Sequence, residues 1–147
     1  MRHFASLGHA VVGVDRNPEA IAAVSPLGES VCADIENGPW PLSGRTFGGV
    51  VVTNYLWRPL WPHILGSLAP NSVLIYETFS AGNESVGKPS RPDFLLRPSE
   101  LLSLCQDLHV VAFEEGFLPH PDRFVQRIVA VRVTDTAQMP RRYPLVG

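Results

Sequence analysis

Short apolar runs, separated by turns rich in glycine, proline and polar residues, divide the 147-residue chain into alternating strand and helix signals. Arg2 to Leu7 reads as the end of a helix, with Gly8 as its stop. The run Ala10-Val11-Val12-Gly13-Val14 predicts a strand that meets Asp15. Asn17-Pro18-Glu19 is a helix start, with Asn17 as N-cap and Pro18 in the first helical position, leading into Ala20-Ile21-Ala22-Ala23-Val24. A short strand over Ser30 to Ala33 ends at Asp34, before a polar loop through Pro39, Pro41 and Gly44.

Val50-Val51-Val52-Thr53 has no polar alternation, the pattern of a strand covered on both faces of a parallel sheet, and it ends at Asn54-Tyr55. Pro59 to Leu68 predicts the next helix. Ser72-Val73-Leu74-Ile75-Tyr76 predicts another buried strand, ending at Glu77. Residues 80 to 97, with Gly82, Gly87, Pro89 and Pro92, form a long irregular segment of the kind that serves as a functional lid. A helix follows around Glu100 to Cys105. Val110-Val111-Ala112-Phe113 and Val125 to Val133 are two strands with no helix between them, so they predict an antiparallel hairpin closing the sheet edge. The whole is an α/β fold: one domain over residues 1–134, then a tail over 135–147.

Composition narrows the function. A hydrophobic fraction of 45%, a charged fraction of 18% and a mean hydropathy of +0.07 describe an ordinary globular protein. A formal charge of -2 provides no basic field for nucleic acid, and a small-molecule substrate is the expected partner. No apolar run approaches the roughly 18 to 20 residues that cross a bilayer, so a cytoplasmic protein without membrane partners is expected. Cys32 and Cys105 lack Cys-x-x-Cys spacing and sit in apolar stretches, which reads as two buried thiols and no metal site. His3, His9, His63, His109 and His120 are scattered without metal or hydrolase spacing, and are expected to face solvent or cap helix ends. Ser80 and Ser90 lack the surroundings of a nucleophile elbow. Trp40, Trp57 and Trp61 are expected to pack rather than stack on a substrate.

The candidate chemistry lies at strand ends, because ligands of open parallel α/β sheets bind outside the carboxyl ends of the strands. Asp15 can accept hydrogen bonds from both hydroxyls of a ribose, and Asp34 from an exocyclic adenine amine. Asn54 can donate and accept beside the reacting end of a cofactor. Each residue type also caps helices or forms turns, so any one alone fits a structural role. Their recurrence at successive strand ends, about 20 residues apart, favours a ligand.

The order of several segments carries a resemblance. Arg2-His3-x-x-x-Leu7-Gly8-His9-x-Val11-x-x-Val14-Asp15 is similar to the segment after the glycine-rich loop in class I S-adenosylmethionine-dependent methyltransferases of the bacterial tellurite-resistance-like group. Leu68-Ala69-Pro70-x-x-Val73-Leu74-Ile75-Tyr76-Glu77-Thr78-Phe79 resembles that group's fifth strand and its approach. Asn54-Tyr55-Leu56-x-Arg58-Pro59-Leu60, Gly82-Asn83-Glu84 and Phe94-Leu95-Leu96-x-Pro98-x-Glu100-Leu101-Leu102 extend the likeness over most of residues 2 to 133. The resemblance implies a Rossmann-like methyltransferase sheet, mostly parallel with a C-terminal antiparallel hairpin, and S-adenosylmethionine as cofactor. It implies methyl transfer to an N, O or S atom of a small molecule. Asp15, Arg16, Asp34, Ile35 and Asn54 would hold the cofactor. Asn54, Tyr55 and Glu77 would stand at the reacting centre, and Tyr55, Arg58, Asn83 and Glu84 on the substrate side.

The chain departs from the group in two places. Asn71-Ser72 replaces a glycine pair after Pro70, a change that Asn tolerates because it adopts the left-handed conformation. The group's first strand and Gly-x-Gly loop would precede Arg2, so the resemblance implies a domain truncated at its N-terminus. A strand missing from mid-sheet would leave free edges, through which the protein could form homo-oligomers. A catalytically inactive binding or assembly module of the same fold is one alternative. Another is a fragment of an NAD(P)-dependent dehydrogenase, whose second strand Gly8-His9-x-Val11-Val12-Gly13-x-Asp15-Arg16 also resembles, with Arg16 then facing a 2′-phosphate.

Overall fold

A computed structural model describes residues 1–134 and 142–144. Most of the expected tail, 135–147, lies outside the described residues. The chain divides into two compact units, Met1–Ser43 and Gly44–Gly147.

In the first unit a short helix, α1 (Arg2–Ser6), ends before Gly8 at φ +86°. Strand β1 (Val12–Asp15) pairs in parallel with β2 (Glu29–Cys32), and α2 (Pro18–Val24) connects them. The Asn17 side chain accepts from the N–H groups of Glu19 and Ala20 at 2.9 and 3.4 Å, which gives α2 the predicted cap. Pro18 sits where its missing N–H costs nothing. Both strands are half-buried or exposed along their length.

The second unit is a four-stranded sheet in the order β3-β4-β6-β5. Strand β3 (Phe47–Thr53) runs parallel to β4 (Leu68–Phe79), with α3 (Trp61–Gly66) between them. Helix α4 (Glu100–Leu104) follows the 80–97 segment, and the predicted hairpin is present as β5 (His109–Leu118) and β6 (Arg123–Val131). The hairpin inserts β6 between β4 and β5, antiparallel to both, so β5 forms the sheet edge.

Alternation along β4 shows which face is the core. Ser72, Leu74, Tyr76, Thr78 and Ser80 are buried, while Val73, Ile75, Glu77 and Phe79 are partly exposed. Helix α3 packs on β4 and α4 on β6, and Leu74, Tyr76, Ile128 and Ala130 of the sheet are buried together with Trp61, Ile64, Leu101 and the adjoining Cys105. The Trp61 ring stacks on Tyr76 with centroids 4.8 Å apart.

Three expectations need correction. The Val50 to Thr53 strand is not covered on both faces: Val51 is 45% exposed, because it pairs with Ile75 on the face away from Tyr76. Strand β4 starts at Leu68 rather than Ser72, because Phe47 of β3 already pairs there. Asn71 takes φ +62° within it, donating its N–H to the Arg132 carbonyl at 2.8 Å. Of the two thiols only Cys105 is buried, and burial pushes its pKa up to about 11; Cys32 is exposed at the end of β2.

Leu101 and its neighbour Leu102 test the docking of α4, being 0% and 37% exposed. Leu101→Ala should lower unfolding free energy by about 2–5 kcal/mol, and Leu102→Ala by less than about 0.5 kcal/mol. Urea denaturation measures both, and equal losses would show that α4 is not docked through Leu101.

Candidate functional site

In the first unit the predicted residues cluster after two adjacent parallel strands. Parallel pairing continues one residue beyond β2, with the Ala33 N–H donating to the Asp15 carbonyl at 3.0 Å. Asp15 Oδ1 accepts the Asn17 N–H at 2.8 Å, which orients the carboxylate at the entrance to α2. Arg16 is exposed, and its carbonyl accepts the Cys32 thiol at 3.7 Å.

Asp34 builds a turn of its own. Its Oδ1 accepts the N–H groups of Glu36 and Asn37 at 3.0 and 3.2 Å, and its Oδ2 the Asn37 side-chain amide at 2.9 Å. These donors, Asn37's amide foremost, hold the Asp34 carboxyl below its ordinary pKa. Ile35 is half-buried within that turn. Asp34 keeps little accepting capacity for a ligand, whereas Asp15 has one oxygen committed to its turn.

In the second unit, Asn54 ends β3 in the left-handed conformation, φ +53°, and its N–H donates to the Glu77 carbonyl at 2.9 Å. Its side chain is exposed. The Tyr55 carbonyl accepts the Tyr76 hydroxyl at 2.6 Å. Burial raises the Tyr76 pKa well above that of an ordinary tyrosine, so this hydroxyl remains a donor at any physiological pH. Asn54 and Tyr55, just past the end of β3, are thus bonded to the Glu77 carbonyl and the Tyr76 hydroxyl; Glu77 does not end its strand as expected, because β4 continues to Phe79 in register with β6.

Glu77 faces the side of the sheet opposite Tyr76. Its carboxylate lies 3.7 Å from Arg127 Nη1, and Arg127 also pairs with Glu114 across β5. Thr53, Glu77, Arg127 and Glu114 thus form one polar row over four strands.

Three residues expected on the substrate side have other work. Arg58 forks onto Glu100, with Nε and Nη2 at 2.7 and 2.9 Å from its two carboxylate oxygens, and donates to the Asp93 and Leu95 carbonyls at 2.8 and 3.0 Å. Asn83 is 1% exposed; its amide donates to the Pro89 carbonyl and its oxygen accepts the Phe124 N–H. Glu84 accepts the Gly82 N–H at 2.8 Å and caps a short 3-10 turn, Asn83–Ser85. These side chains fasten the 80–97 segment, which is held at its ends by a bridge between Ser80 and Leu96.

Sequence reading missed Tyr76, Glu100, Glu115 and Gln126. Gln126 is fully buried, donating to the Arg97 carbonyl and Glu115 and accepting the Leu101 N–H. Its signal was available: a lone polar residue at an inward position of β6, where no solvent can satisfy it.

Among the described residues, no three His, Cys, Asp or Glu side chains gather as a metal site, and no helix is long and apolar enough to cross a membrane. An open groove of about 490 Å³ follows the hairpin, lined by Phe113, Phe117, Leu118, Val125 and Arg127 among others, and includes none of the predicted strand-end residues.

No protein-family model matches the chain, and no curated protein matches it in sequence. Solved structures do match in fold. TehB from Haemophilus influenzae superposes with a TM-score of 0.73 at 15% identity, over 89% of this chain and 52% of its own. The chain thus spans about half the length of that protein. A SAM-dependent methyltransferase from Methanosarcina mazei gives 0.67 at 15% identity, over 91% and 87% of the two chains. The 1,6-didemethyltoxoflavin-N1-methyltransferase of Burkholderia thailandensis, solved with 1,6-didemethyltoxoflavin and S-adenosylhomocysteine, gives 0.63 at 14% identity, over 90% and 65%. The protein has a Rossmann-like methyltransferase fold, as its segment order implied.

The Arg58–Glu100 fork makes a pH prediction. Burial raises the Glu100 pKa, but the Arg58 guanidinium and the Arg97 N–H outweigh it and hold the carboxyl below its ordinary value. A carboxyl depressed on folding contributes stability above its unfolded pKa of about 4.3, and that contribution is lost as pH falls through the lower folded value. Denaturation midpoints of wild type should therefore fall more steeply below about pH 4.5 than those of Glu100→Gln. Parallel pH profiles would remove Glu100 from the acid-sensitive set.

Proposed function

We propose that the protein transfers a methyl group from S-adenosylmethionine to an N, O or S nucleophile of a small molecule. The observation that carries this reading is the fold likeness to methyltransferases over 89% of the chain, together with Asp15 at the carboxyl end of its first parallel strand. The Burkholderia methyltransferase is solved with 1,6-didemethyltoxoflavin and S-adenosylhomocysteine, which supports the same class of substrate.

The residues present fit such a cofactor. Asp15 is exposed, at a strand end, with its carboxylate oriented by the Asn17 N–H and one oxygen outside that bond. It would accept from the ribose hydroxyls, with Arg16 beside it. Asp34 and Ile35 would border the adenine, Asp34 more weakly because Asn37 competes for its oxygens. Bound S-adenosylmethionine supplies an electrophilic methyl carbon on a sulfonium.

The protein's own task is alignment and exclusion of water, since displacement at such a carbon needs little acid–base machinery. Asn54, fixed in a left-handed turn by the Glu77 carbonyl, would orient the reacting groups. Tyr55, held by Tyr76, would stand beside the acceptor. Glu77 would anchor the acceptor or receive the proton its nucleophile releases. Arg58, Asn83 and Glu84 would act indirectly, by holding the 80–97 segment in place.

Titration calorimetry with S-adenosylhomocysteine tests the reading. Asp15→Ala should weaken binding by roughly 30-fold to 1,000-fold, through loss of two charge-assisted hydrogen bonds. Asp34→Ala should weaken it less, because water replaces part of a single amine contact. An unchanged affinity in Asp15→Ala removes that residue from the site. Binding of a nicotinamide dinucleotide in place of S-adenosylhomocysteine would overturn the reading in favour of a dehydrogenase.

A further inference from the structure

We infer that Arg58 is a positioning residue that clasps the 80–97 strap to the turn bearing Asn54 and Tyr55, so that strap and strand end move as one body. The role of the strap as a wall of the acceptor site rests on the methyl-transfer reading, whereas the clasp rests on this chain's own contacts.

The strap is a loop with a closed base. The Ala81 N–H donates to the Leu96 carbonyl at 2.9 Å, and the Leu96 N–H to the Phe79 carbonyl at 3.0 Å. Asn83 pins its first limb to Phe124 at the start of β6, and Gly82, at φ +105°, lets the backbone pass against the Phe124 ring, where a Cβ would come to 3.0 Å. From Glu84 to Asp93 the strap is largely exposed. It dives inward again at Leu95 and Leu96, 5% and 0% exposed. The returning limb is where Arg58 takes hold, at the Asp93 and Leu95 carbonyls.

The other end of the clasp is equally fixed. Only Leu56, itself buried, and Trp57 separate Arg58 from Tyr55. The Asn54 N–H and the Tyr55 carbonyl are bonded to Glu77 and Tyr76 of β4. A guanidinium suits this junction because its planar fork reaches a carboxylate and two carbonyls at once, which the single ammonium of lysine does not. Loss of the fork would leave the partly buried Glu100 carboxylate with only the Arg97 N–H and would take the Arg58 donors from the Asp93 and Leu95 carbonyls, and the strap and the turn would loosen together.

Hydrogen exchange of the ligand-free protein reads this directly, comparing wild type, Arg58→Lys and Arg58→Ala. In Arg58→Ala, the amides of Leu95, Leu96 and Asn54 should exchange faster by about tenfold or more, while Ile128 and Ala130 of β6 keep their wild-type rates. Arg58→Lys should fall between the two. Faster exchange in the strap with Asn54 unchanged would overturn the coupling. Unchanged rates throughout, or the same acceleration at Ile128 and Ala130, would overturn the clasp and leave Arg58 as an ordinary stabilising pair. No cofactor enters this measurement, so failure of the methyl-transfer reading leaves its outcome standing.

Discussion

The carboxamide of Gln126 is fully buried, and its hydrogen bonds tie β6 to the stretch from Arg97 to Leu101 and to the edge strand β5. Its two N–H groups go to the Arg97 carbonyl and to Glu115 of β5, and its oxygen accepts from Leu101 of α4. A buried amide deprived of a partner costs about 1–3 kcal/mol, so the fold is constrained to bring all three partners to it. The end of the strap, the first turn of α4 and the edge strand are placed by that requirement. Ser99, which precedes α4 at φ +57°, donates its N–H to the same Glu115. One residue into α4, Glu100 receives the Arg58 fork. The network therefore runs from the middle of the hairpin to the turn after β3.

That continuity matters for the proposed chemistry. Methyl transfer by displacement depends on holding two reactants in line, and misplacement by about 1 Å can cost on the order of a hundredfold in rate. Residues at strand ends are already placed by the sheet, and here each is fixed again by a second bond: Asp15 by Asn17, Asn54 by Glu77, Tyr55 by Tyr76. Backbone bonds close the base of the strap against β4 and β6, and Arg58, Asn83 and Gln126 hold its limbs.

Local rules made much of this legible in the sequence. The Asn17-Pro18 start of α2, the left-handed Asn71 and the antiparallel hairpin each follow from chemistry within a few residues, and all three are present. What escaped was set by distance along the chain. Val51 looked buried because an apolar run does not reveal which face of its strand a helix will cover. Arg58 and Asn83 looked like ligand contacts because their partners, Glu100 and Phe124, lie 42 and 41 residues away. Cys32 looked buried because its neighbours are apolar, yet it closes a strand at the surface. In each case the residue type was read correctly and its partner was not, since a pattern along one segment carries no record of what packs on it.

The most direct test of the central claim, that strand ends of this fold hold an adenosyl cofactor, is a backbone amide NMR titration with S-adenosylhomocysteine. The account predicts shifts concentrated at Val14 to Asn17, at Cys32 to Ile35 and at Thr53 to Tyr55, with Phe113 to Leu118 of the hairpin groove unmoved. Shifts confined to that groove, or no saturable shifts at the three strand ends, would contradict it.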